Sequence, residues 1–436
     1  MNNWIEKQFK LSEYGTTIKT ELIAGITTFF TMAYVLAVVP NTMGTAGFDK
    51  SAILTAEILL IILTTVAMAL YTNRPFALAP GLGGVAIVAA MVANEGVSPD
   101  IAAGIIFISG LLFVIISFAG IRESVVRIIP VSLKYAITAS IGLFIALVGA
   151  KSCGLIVVNA VKKSLTFGDL SSPKVILAVI GFTLMLILKT RNITAGMILV
   201  VIITTLIGIP MGITKIPSSL VLLPGGLGQH FLKIDILGAL NLKYLPFVFA
   251  LFIPDFFSTL GTVLGVGAQA GYLDKDGNLP GIDKCFYVDS ISACVGSLFN
   301  MPTMVTYFES SAGVEAGGKT GLTVIFTSLL FTAMLFFTPL ALMIPSSATA
   351  PVLIFMGVNM LSKLRYINYN DMTEYLPALL CVTFTIFANN IANGICVALP
   401  AYLILKISSG KVKEVSKPLY VIAIICLFYF YSIIKL

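Results

Sequence analysis

Residues 300–320 read NMPTMVTYFESSAGVEAGGKT, and one acid of this stretch, Glu309, is surrounded by apolar or small side chains. A charge at bilayer depth is costly unless it is paired, neutralised or faces a cavity, so an intramembrane acid indicates a functional site. Pro302 and Gly313 flank Glu309, and such residues interrupt helices and free backbone groups that a polar ligand, water or neighbouring protein must satisfy. The stretch therefore predicts a broken helix that lines a substrate cavity.

The whole chain has the composition of a membrane protein. Of 436 residues, 58% are hydrophobic and 11% are charged, and the mean hydropathy is +1.01. These values are outside the range of soluble domains of this length. His230 is the only histidine, and the six cysteines have no metal-ligand spacing. We therefore predict an all-α polytopic membrane protein with no catalytic residues, no metal and no cofactor.

Apolar stretches of spanning length follow one another along the chain. Seven lie between Leu22 and Ile209, and seven more, with the broken stretch included, lie between Leu245 and Leu405. The apolar run 419–434 is left over, and hydropathy does not decide whether it spans. Lys and Arg cluster in alternate connections, which by the positive-inside rule places the N-terminus in the cytoplasm of a cell-membrane protein. The net charge of +7 thus reflects topology and not a nucleic-acid surface.

Two short motifs recur at one spacing. TFFT at 28–31 and DFFS at 255–258 are 227 residues apart, and so are NRP at 73–75 and NMP at 300–302. Seven segments per half require halves that are inverted relative to each other, and inverted repeats with broken helices are typical of secondary transporters. Chance matches between apolar sequences are the alternative. The offset also pairs ALAPGLGG at 77–84 with the stretch before Glu309, so we predict a substrate site between two interrupted segments.

Asp255 is a second intramembrane acid and follows Pro254 in an apolar run. We expect it to couple ion movement together with Glu309; the alternative is that it caps a helix or bonds a broken backbone. Aromatic residues next to the two acids, Phe257 and Phe308, are candidates for stacking on a planar substrate. The alternative for each is packing, which is the commoner use of aromatic residues in membrane helices.

Four stretches together resemble the nucleobase:cation symporter family, and most of all its adenine, guanine and hypoxanthine permease branch. They are TELIAGITTFFTMAYVLAVVP at 20–40, ALAPGLG at 77–83, PDFFSTLGTVLGVGAQAGYLDKDGNLP at 254–280 and TYFESSAGVEAGGKTGLT at 306–323. The resemblance implies about 14 transmembrane segments in two inverted repeats of seven, a core and a gate domain, and short extended strands in the broken third and tenth segments. It implies import of a purine-type nucleobase coupled to H+, or to Na+ in some relatives, and leaves a homodimer open as the assembly.

The same resemblance sets the expected division of the chain. Residues 1–19 form a cytoplasmic N-terminus, residues 20–120 and 245–345 form the core segments, and residues 121–212 and 346–436 form the gate segments. Residues 213–244 are the connecting loop.

The resemblance implies that residues of segments one, three, eight and ten hold the substrate, with Glu309 as the binding acid. The candidate substrate-contacting residues are Thr31, Gly83, Val85, Phe257, Ser258, Phe308, Glu309 and Ser310. Two positions depart from the family pattern, since Ser258 stands where an aspartate is usual and Val85 where an asparagine is usual. A different or modified heterocycle is therefore the alternative cargo, because unmatched buried polar groups discriminate strongly between ligands. An anion exchanger or channel is less favoured, because its site would present a basic residue or bare helix N-termini.

Overall fold

The computed structural model describes residues 2–118, 130–159, 164–191, 193, 196–221, 225–226, 228, 231–272, 279–388 and 391–434. Its helices are α1 (Asn2–Phe9), α2 (Ile18–Met32), α3 (Val35–Gly44), α4 (Lys50–Thr72), α5 (Leu82–Glu95), α6 (Pro99–Phe118), α7 (Val131–Ser152), α8 (Pro173–Thr190), α9 (Gly196–Gly208), α10 (Ile236–Ala239), α11 (Leu245–Gln269), α12 (Ile282–Ser297), α13 (Ser310–Glu315), α14 (Gly321–Met334), α15 (Thr338–Leu342), α16 (Ser346–Met360), α17 (Met372–Phe387), α18 (Ile391–Ser408) and α19 (Lys417–Ile434). The strands within these residues are β1 (Leu78–Pro80), β2 (Ile156–Asn159), β3 (Ser164–Phe167) and β4 (Met304–Thr306). The structure is thus mainly helical, as predicted.

Six helical stretches of the described chain are long and apolar enough to cross a membrane. They are Ile18–Gly44, Lys50–Thr72, Pro99–Phe118, Val131–Ser152, Pro173–Thr190 and Ser346–Tyr366. Further apolar helices, among them α5, α9, α14 and α17, are shorter than a full crossing. A polytopic membrane protein is therefore confirmed, whereas the number of 14 segments stays a prediction. The leftover run 419–434 forms a helix, α19.

One order of elements occurs twice. In the first half α4 is followed by β1 and α5, and in the second half α12 is followed by β4 and α13. The two strands start at Leu78 and Met304. Their separation along the chain is one residue shorter than the spacing at which the sequence motifs recur. Each half thus contains a short strand at a corresponding position, which agrees with the interruptions predicted at 77–84 and before Glu309.

The helices pack in two main groups. In one group α14 packs on α2 and α4, and α12 packs on α6. In the other, α7 packs on α16 and α17, and α17 packs on α18. Each group combines helices from both halves of the chain. The assignment of these groups to a core and a gate domain stays a prediction.

The start of α14 is fixed by a buried carboxylate from α2. Glu21 is fully buried, and its oxygens accept hydrogen bonds from the backbone N–H groups of Lys319, Thr320 and Thr323 at 3.0, 3.3 and 3.1 Å. The hydroxyl groups of Thr320 and Thr323 also donate to it, as does the Thr16 hydroxyl at 2.8 Å. A negative charge at a helix N-terminus is stabilised by the free N–H groups and the helix dipole. Glu21 therefore has a structural role.

Helices α2 and α14 approach so closely that only glycine fits at one position. A Cβ atom added at Gly25 would lie 2.4 Å from the Thr323 carbonyl oxygen and 2.7 Å from the Phe326 Cβ. We expect Gly25→Ala to lower the free energy of unfolding by roughly 1–3 kcal/mol, because overpacking displaces the backbone. Thermal unfolding of the purified protein measures this loss. Gly225→Ala is the control, since nothing lies within 4 Å of its added Cβ; equal melting temperatures for the two variants would contradict the close packing.

Candidate functional site

The two extended breaks pair with each other. Strands β1 and β4 pair in antiparallel fashion, with Leu78 opposite Thr306 and Pro80 opposite Met304. Both strands are completely buried. Such short strands satisfy their backbone groups through each other, which a broken helix at membrane depth requires. The sequence prediction of extended strands in the two broken segments is confirmed.

Side chains next to the strands fix this crossing. The Tyr307 N–H donates to the Ala77 carbonyl at 2.9 Å, and its phenol donates to the Pro80 carbonyl at 2.6 Å. The Ser310 hydroxyl oxygen accepts from the Ala77 N–H at 3.0 Å. Ser310 is fully buried, so this predicted site residue also holds the strands together.

Glu309 lies directly after the crossing, at the start of α13. Its Oε1 accepts a hydrogen bond of 2.7 Å from the Tyr34 phenol, which lies between α2 and α3. The residue is half-buried, and the ion pairs of the described residues do not include it. Thr31 lies alongside, with its hydroxyl 3.4 Å from the Glu309 carbonyl oxygen. Thr31 and Glu309 thus lie side by side, and Tyr34 is the one other described residue that donates a hydrogen bond to the Glu309 carboxylate.

Asp255 lies on the other side of the crossing and is buried in α11. Its Oδ1 would be 3.4 Å from a Cβ at Gly81, and the Thr303 hydroxyl is its hydrogen-bonding neighbour. Its buried Oδ2 has no hydrogen-bond partner among the described residues. Asp255 therefore contacts the backbone break of both halves. This geometry fits the structural alternative and leaves one oxygen for a ligand or proton.

A further acid, Asp289 on α12, is hydrogen-bonded to α11. The Thr259 hydroxyl, one turn after Asp255, donates to Asp289 Oδ2 on α12 at 2.6 Å. Ser292, also on α12, donates to the Met304 carbonyl of β4 at 3.0 Å. These bonds attach α11 and β4 to α12. The sequence analysis missed Asp289, although its position in an apolar helix was a usable signal.

The N-terminus of α5 adds backbone donors. Its first intrahelical bond runs from the Val85 N–H to the Gly81 carbonyl at 2.9 Å, so the N–H groups of the three residues between them lack helical partners. Gly83 is one of these residues, and an added Cβ there would lie 2.9 Å from Ile141 on α7. Val85 is buried in the hydrophobic core. The helix end thus approaches α7 and presents donors and apolar surface.

The remaining predicted residues differ in exposure. Phe308 is 60% exposed and would contact a Cβ at Gly265 of α11 through its ring edge. Ser258 is exposed on α11, and its side chain makes no hydrogen bond with a described residue. The side chain of Phe257 and the whole of His230 lie outside the described part of the chain. The structure therefore gathers Thr31, Glu309 and Ser310 at the crossing and does not link Ser258 to them.

Sequence reasoning missed several residues of this region. Tyr34, the hydrogen-bond donor to Glu309, is fully buried and has no distinguishing pattern in the sequence. Glu57 is fully buried in α4, and both of its carboxyl oxygens lack partners among the described residues. Glu309 is also not the lone acid of its stretch, because the exposed Glu315 follows at the end of α13. The charge count along each apolar segment would have found Glu57.

Comparison with protein families gives one match over most of the chain. The model described as Permease family (Xan_ur_permease) matches residues 19–397. The stretch contains every predicted site residue.

Several proteins of known sequence are similar along nearly their whole length. A putative permease, MJ0326, of Methanocaldococcus jannaschii is 40% identical over 423 residues, which cover 97% of this chain and 97% of the relative. The adenine permease AdeP of Escherichia coli is 36% identical over 97% of this chain and 94% of its own. The guanine/hypoxanthine permease PbuO of Bacillus subtilis is 35% identical over 96% of this chain and 98% of its own. These relatives are permeases and not enzymes.

Solved structures share the fold at low sequence identity. The transmembrane domain of the cyanobacterial bicarbonate transporter BicA has a TM-score of 0.63 and 13% identity, and the alignment covers 90% of this chain and 97% of that domain. SLC26A9 has a TM-score of 0.63 and 14% identity over 94% of this chain and 69% of its own. The likeness shows a polytopic transporter fold.

Proposed function

This chain belongs to the Permease family, in the branch of adenine and guanine/hypoxanthine permeases, and on that premise we propose that it is a secondary active transporter. It imports a purine-type nucleobase across the cell membrane together with H+. The core segments move against the gate segments in an elevator-like cycle, and the N-terminus is cytoplasmic. Two inverted repeats of seven segments provide the symmetry for this movement.

The position of Glu309 is the observation that carries this proposal. Glu309 is half-buried beside the paired strands, and Tyr34 is the one other described residue that donates a hydrogen bond to its carboxylate. No ion pair within the described chain neutralises it. An acid without a basic partner at membrane depth needs a polar ligand or a proton. A nucleobase with N–H donors is such a polar ligand.

Purine recognition follows from the donors and acceptors of the crossing. An ionised Glu309 accepts from a ring N–H and an exocyclic amine or a second ring N–H. The free N–H groups at the start of α5, including that of Gly83, donate to a ring nitrogen or carbonyl oxygen. The exposed ring of Phe308 offers an aromatic face for stacking. Thr31 and Ser310 keep Glu309 and β1 in place through their hydrogen bonds.

A different or modified heterocycle is the second candidate cargo. Ser258 is exposed and hydrogen-bonds to no described residue, and Val85 gives the α5 end an apolar side chain. Neither position offers a carboxylate or amide to a purine edge. Loss of such a partner changes which ring edge is recognised, so the transport machinery stays the same while the preferred base changes.

Ligand-induced thermal stabilisation of the purified protein separates these candidates. Adenine, guanine, hypoxanthine, uracil and bicarbonate are tested singly at equal concentration. We expect a purine to raise the melting temperature, because a ligand at 100 times its Kd stabilises the folded state by about 2.7 kcal/mol. Stabilisation by uracil alone would indicate the alternative cargo, and stabilisation by bicarbonate alone would contradict nucleobase transport. Uptake of the stabilising base by cells that lack their own purine permeases then tests transport.

A further inference from the structure

Glu57 is a buried acid for which the proposed nucleobase site has no use. It lies in α4, seven residues after Lys50, which is about 10 Å along the helix axis. Its side chain is 0% exposed, and neither carboxyl oxygen has a hydrogen-bond partner among the described residues. Glu21 is equally buried, but six donors surround it. Glu21 is therefore surrounded by hydrogen-bond donors, whereas Glu57 has none among the described residues.

An ionised carboxylate at Glu57 would be strongly destabilised. Removing such a charge from water costs several kcal/mol unless hydrogen bonds or an opposite charge replace the water. None of the ion pairs in the described chain includes Glu57. The carboxyl group is therefore neutral, with its proton bound, in the conformation of this structure.

The elements packed against α4 bring few ionisable groups towards Glu57. These elements are α3, α12, α14, α15, β1 and β4, and α12 is the one among them with ionisable residues. Those of α12 are Asp283, Lys284 near the ring of Tyr71, Cys285 near Thr72, Tyr287 stacked on Phe118, Asp289 bonded to Thr259, and Cys294. Tyr307 follows β4 directly, and its N–H and phenol groups donate to the carbonyls of Ala77 and Pro80, at the strand β1 that packs on α4.

The Glu309 site and the helix of Glu57 meet at the same pair of strands. Glu309 follows Tyr307 by two residues and accepts a hydrogen bond from the buried Tyr34 phenol. The strands β1 and β4, which Tyr307 fixes, both pack on α4, the helix that contains Glu57. The β1–β4 crossing thus connects the nucleobase site with the helix of Glu57.

We propose that Glu57 is a second proton-carrying site of this transporter, and that its proton is linked to occupation of the Glu309 site through the β1–β4 crossing. This assignment rests on the proposed function. When the site opens to water, the O–H bond of the carboxyl group breaks, its electron pair stays on the carboxylate oxygen, and a water molecule takes the proton. The reverse step, from hydronium on the other side of the membrane, restores the neutral acid.

The direction of the linkage follows from burial. The conformation of this structure offers an ionised Glu57 no partner among the described residues, so it favours the protonated acid. A nucleobase that binds the Glu309 site in this conformation therefore holds the proton on Glu57. Linkage is reciprocal, so a protonated Glu57 strengthens nucleobase binding, and couplings of this kind amount to roughly 5- to 150-fold in affinity. Affinity should therefore fall as the pH rises and Glu57 loses its proton.

The test compares wild type with Glu57→Gln in proteoliposomes loaded with hypoxanthine, adenine or guanine. The amide imitates the neutral acid but carries no proton. We expect the variant to keep exchange of labelled for unlabelled base, to lose accumulation driven by a pH gradient by at least about 10-fold, and to bind the base with an affinity that no longer falls at high pH. Glu13→Gln, at an exposed acid paired with Lys10, is the control.

Infrared spectroscopy supplies a readout that needs no transported base. The difference spectrum between wild type and Glu57→Gln at neutral pH should contain the carbonyl stretching band of one protonated carboxylic acid. An unchanged band or undiminished accumulation would overturn the assignment, and so would accumulation that requires a sodium gradient. Collapse of the variant's fold would also overturn it, because it would show an ionised, paired Glu57. Wild type that binds no purine while the band behaves as expected would refute the proposed function alone.

Discussion

Glu309→Gln is expected to abolish concentrative uptake of the nucleobase and to weaken its binding roughly 10- to 100-fold, since a hydrogen bond to a charged group contributes about 1.5–3 kcal/mol. The amide keeps one acceptor but turns its NH2 group towards the N–H donors of the base. The hydrogen bond from Tyr34 to Oε1 also loses its charged acceptor. Calorimetric titration of the purified variant measures the affinity, and uptake of labelled base measures transport.

A matched control is available on the same short helix. Glu315 is an exposed acid at the end of α13, where its carboxylate accepts a hydrogen bond of 2.6 Å from Gln269. Glu315→Gln removes one charge from the same helix without touching the crossing, so we expect nearly wild-type affinity. If both variants bound alike, the role of Glu309 would be lost, because a general change of charge would account for the effect.

Glu21→Gln is expected to have the largest effect on stability, about 3–5 kcal/mol, because it breaks a buried charged network. The amide nitrogen would face N–H and O–H donors from Lys319, Thr320 and Thr323 and leave some of them unpaired. The start of α14 would also lose the negative charge that its N-terminus favours. Chemical or thermal unfolding in detergent measures the loss.

Glu57→Gln is the comparison for this prediction. Both substitutions replace a fully buried acid by an amide of the same shape. The melting temperature should fall steeply for Glu21→Gln and stay close to wild type for Glu57→Gln, since only Glu21 has charged hydrogen bonds to lose. A reversed order would contradict the assignment of Glu21 to a structural role and of Glu57 to proton carrying.

The central crossing could be predicted from local features of the sequence. Pro302, Gly313 and the glycines after Pro80 mark chain breaks, and an acid beside such a break at membrane depth indicates a cavity that admits a polar ligand. The shared offset then related the two breaks, which form β1 and β4 in the structure. Local signals were sufficient here because few backbone arrangements satisfy all hydrogen-bonding groups in lipid.

Partners from distant parts of the chain could not be predicted in this way. Tyr34 and Glu309 are separated by 275 residues and meet only after α2 and α13 have packed together. Glu21 and Glu57 both occur in apolar helices, yet one is fully bonded and the other has no partner among the described residues. The difference depends on which helix end each acid meets, and hydropathy contains no information about that contact.

An experimental structure determined with bound hypoxanthine, adenine or guanine tests the central claim most directly. We expect density for a planar base beside the β1–β4 crossing, with ring N–H groups within hydrogen-bonding distance of Glu309 and the start of α5 near its opposite edge. A base bound elsewhere, or a Glu309 carboxylate paired with a lysine or arginine in the occupied state, would contradict the account.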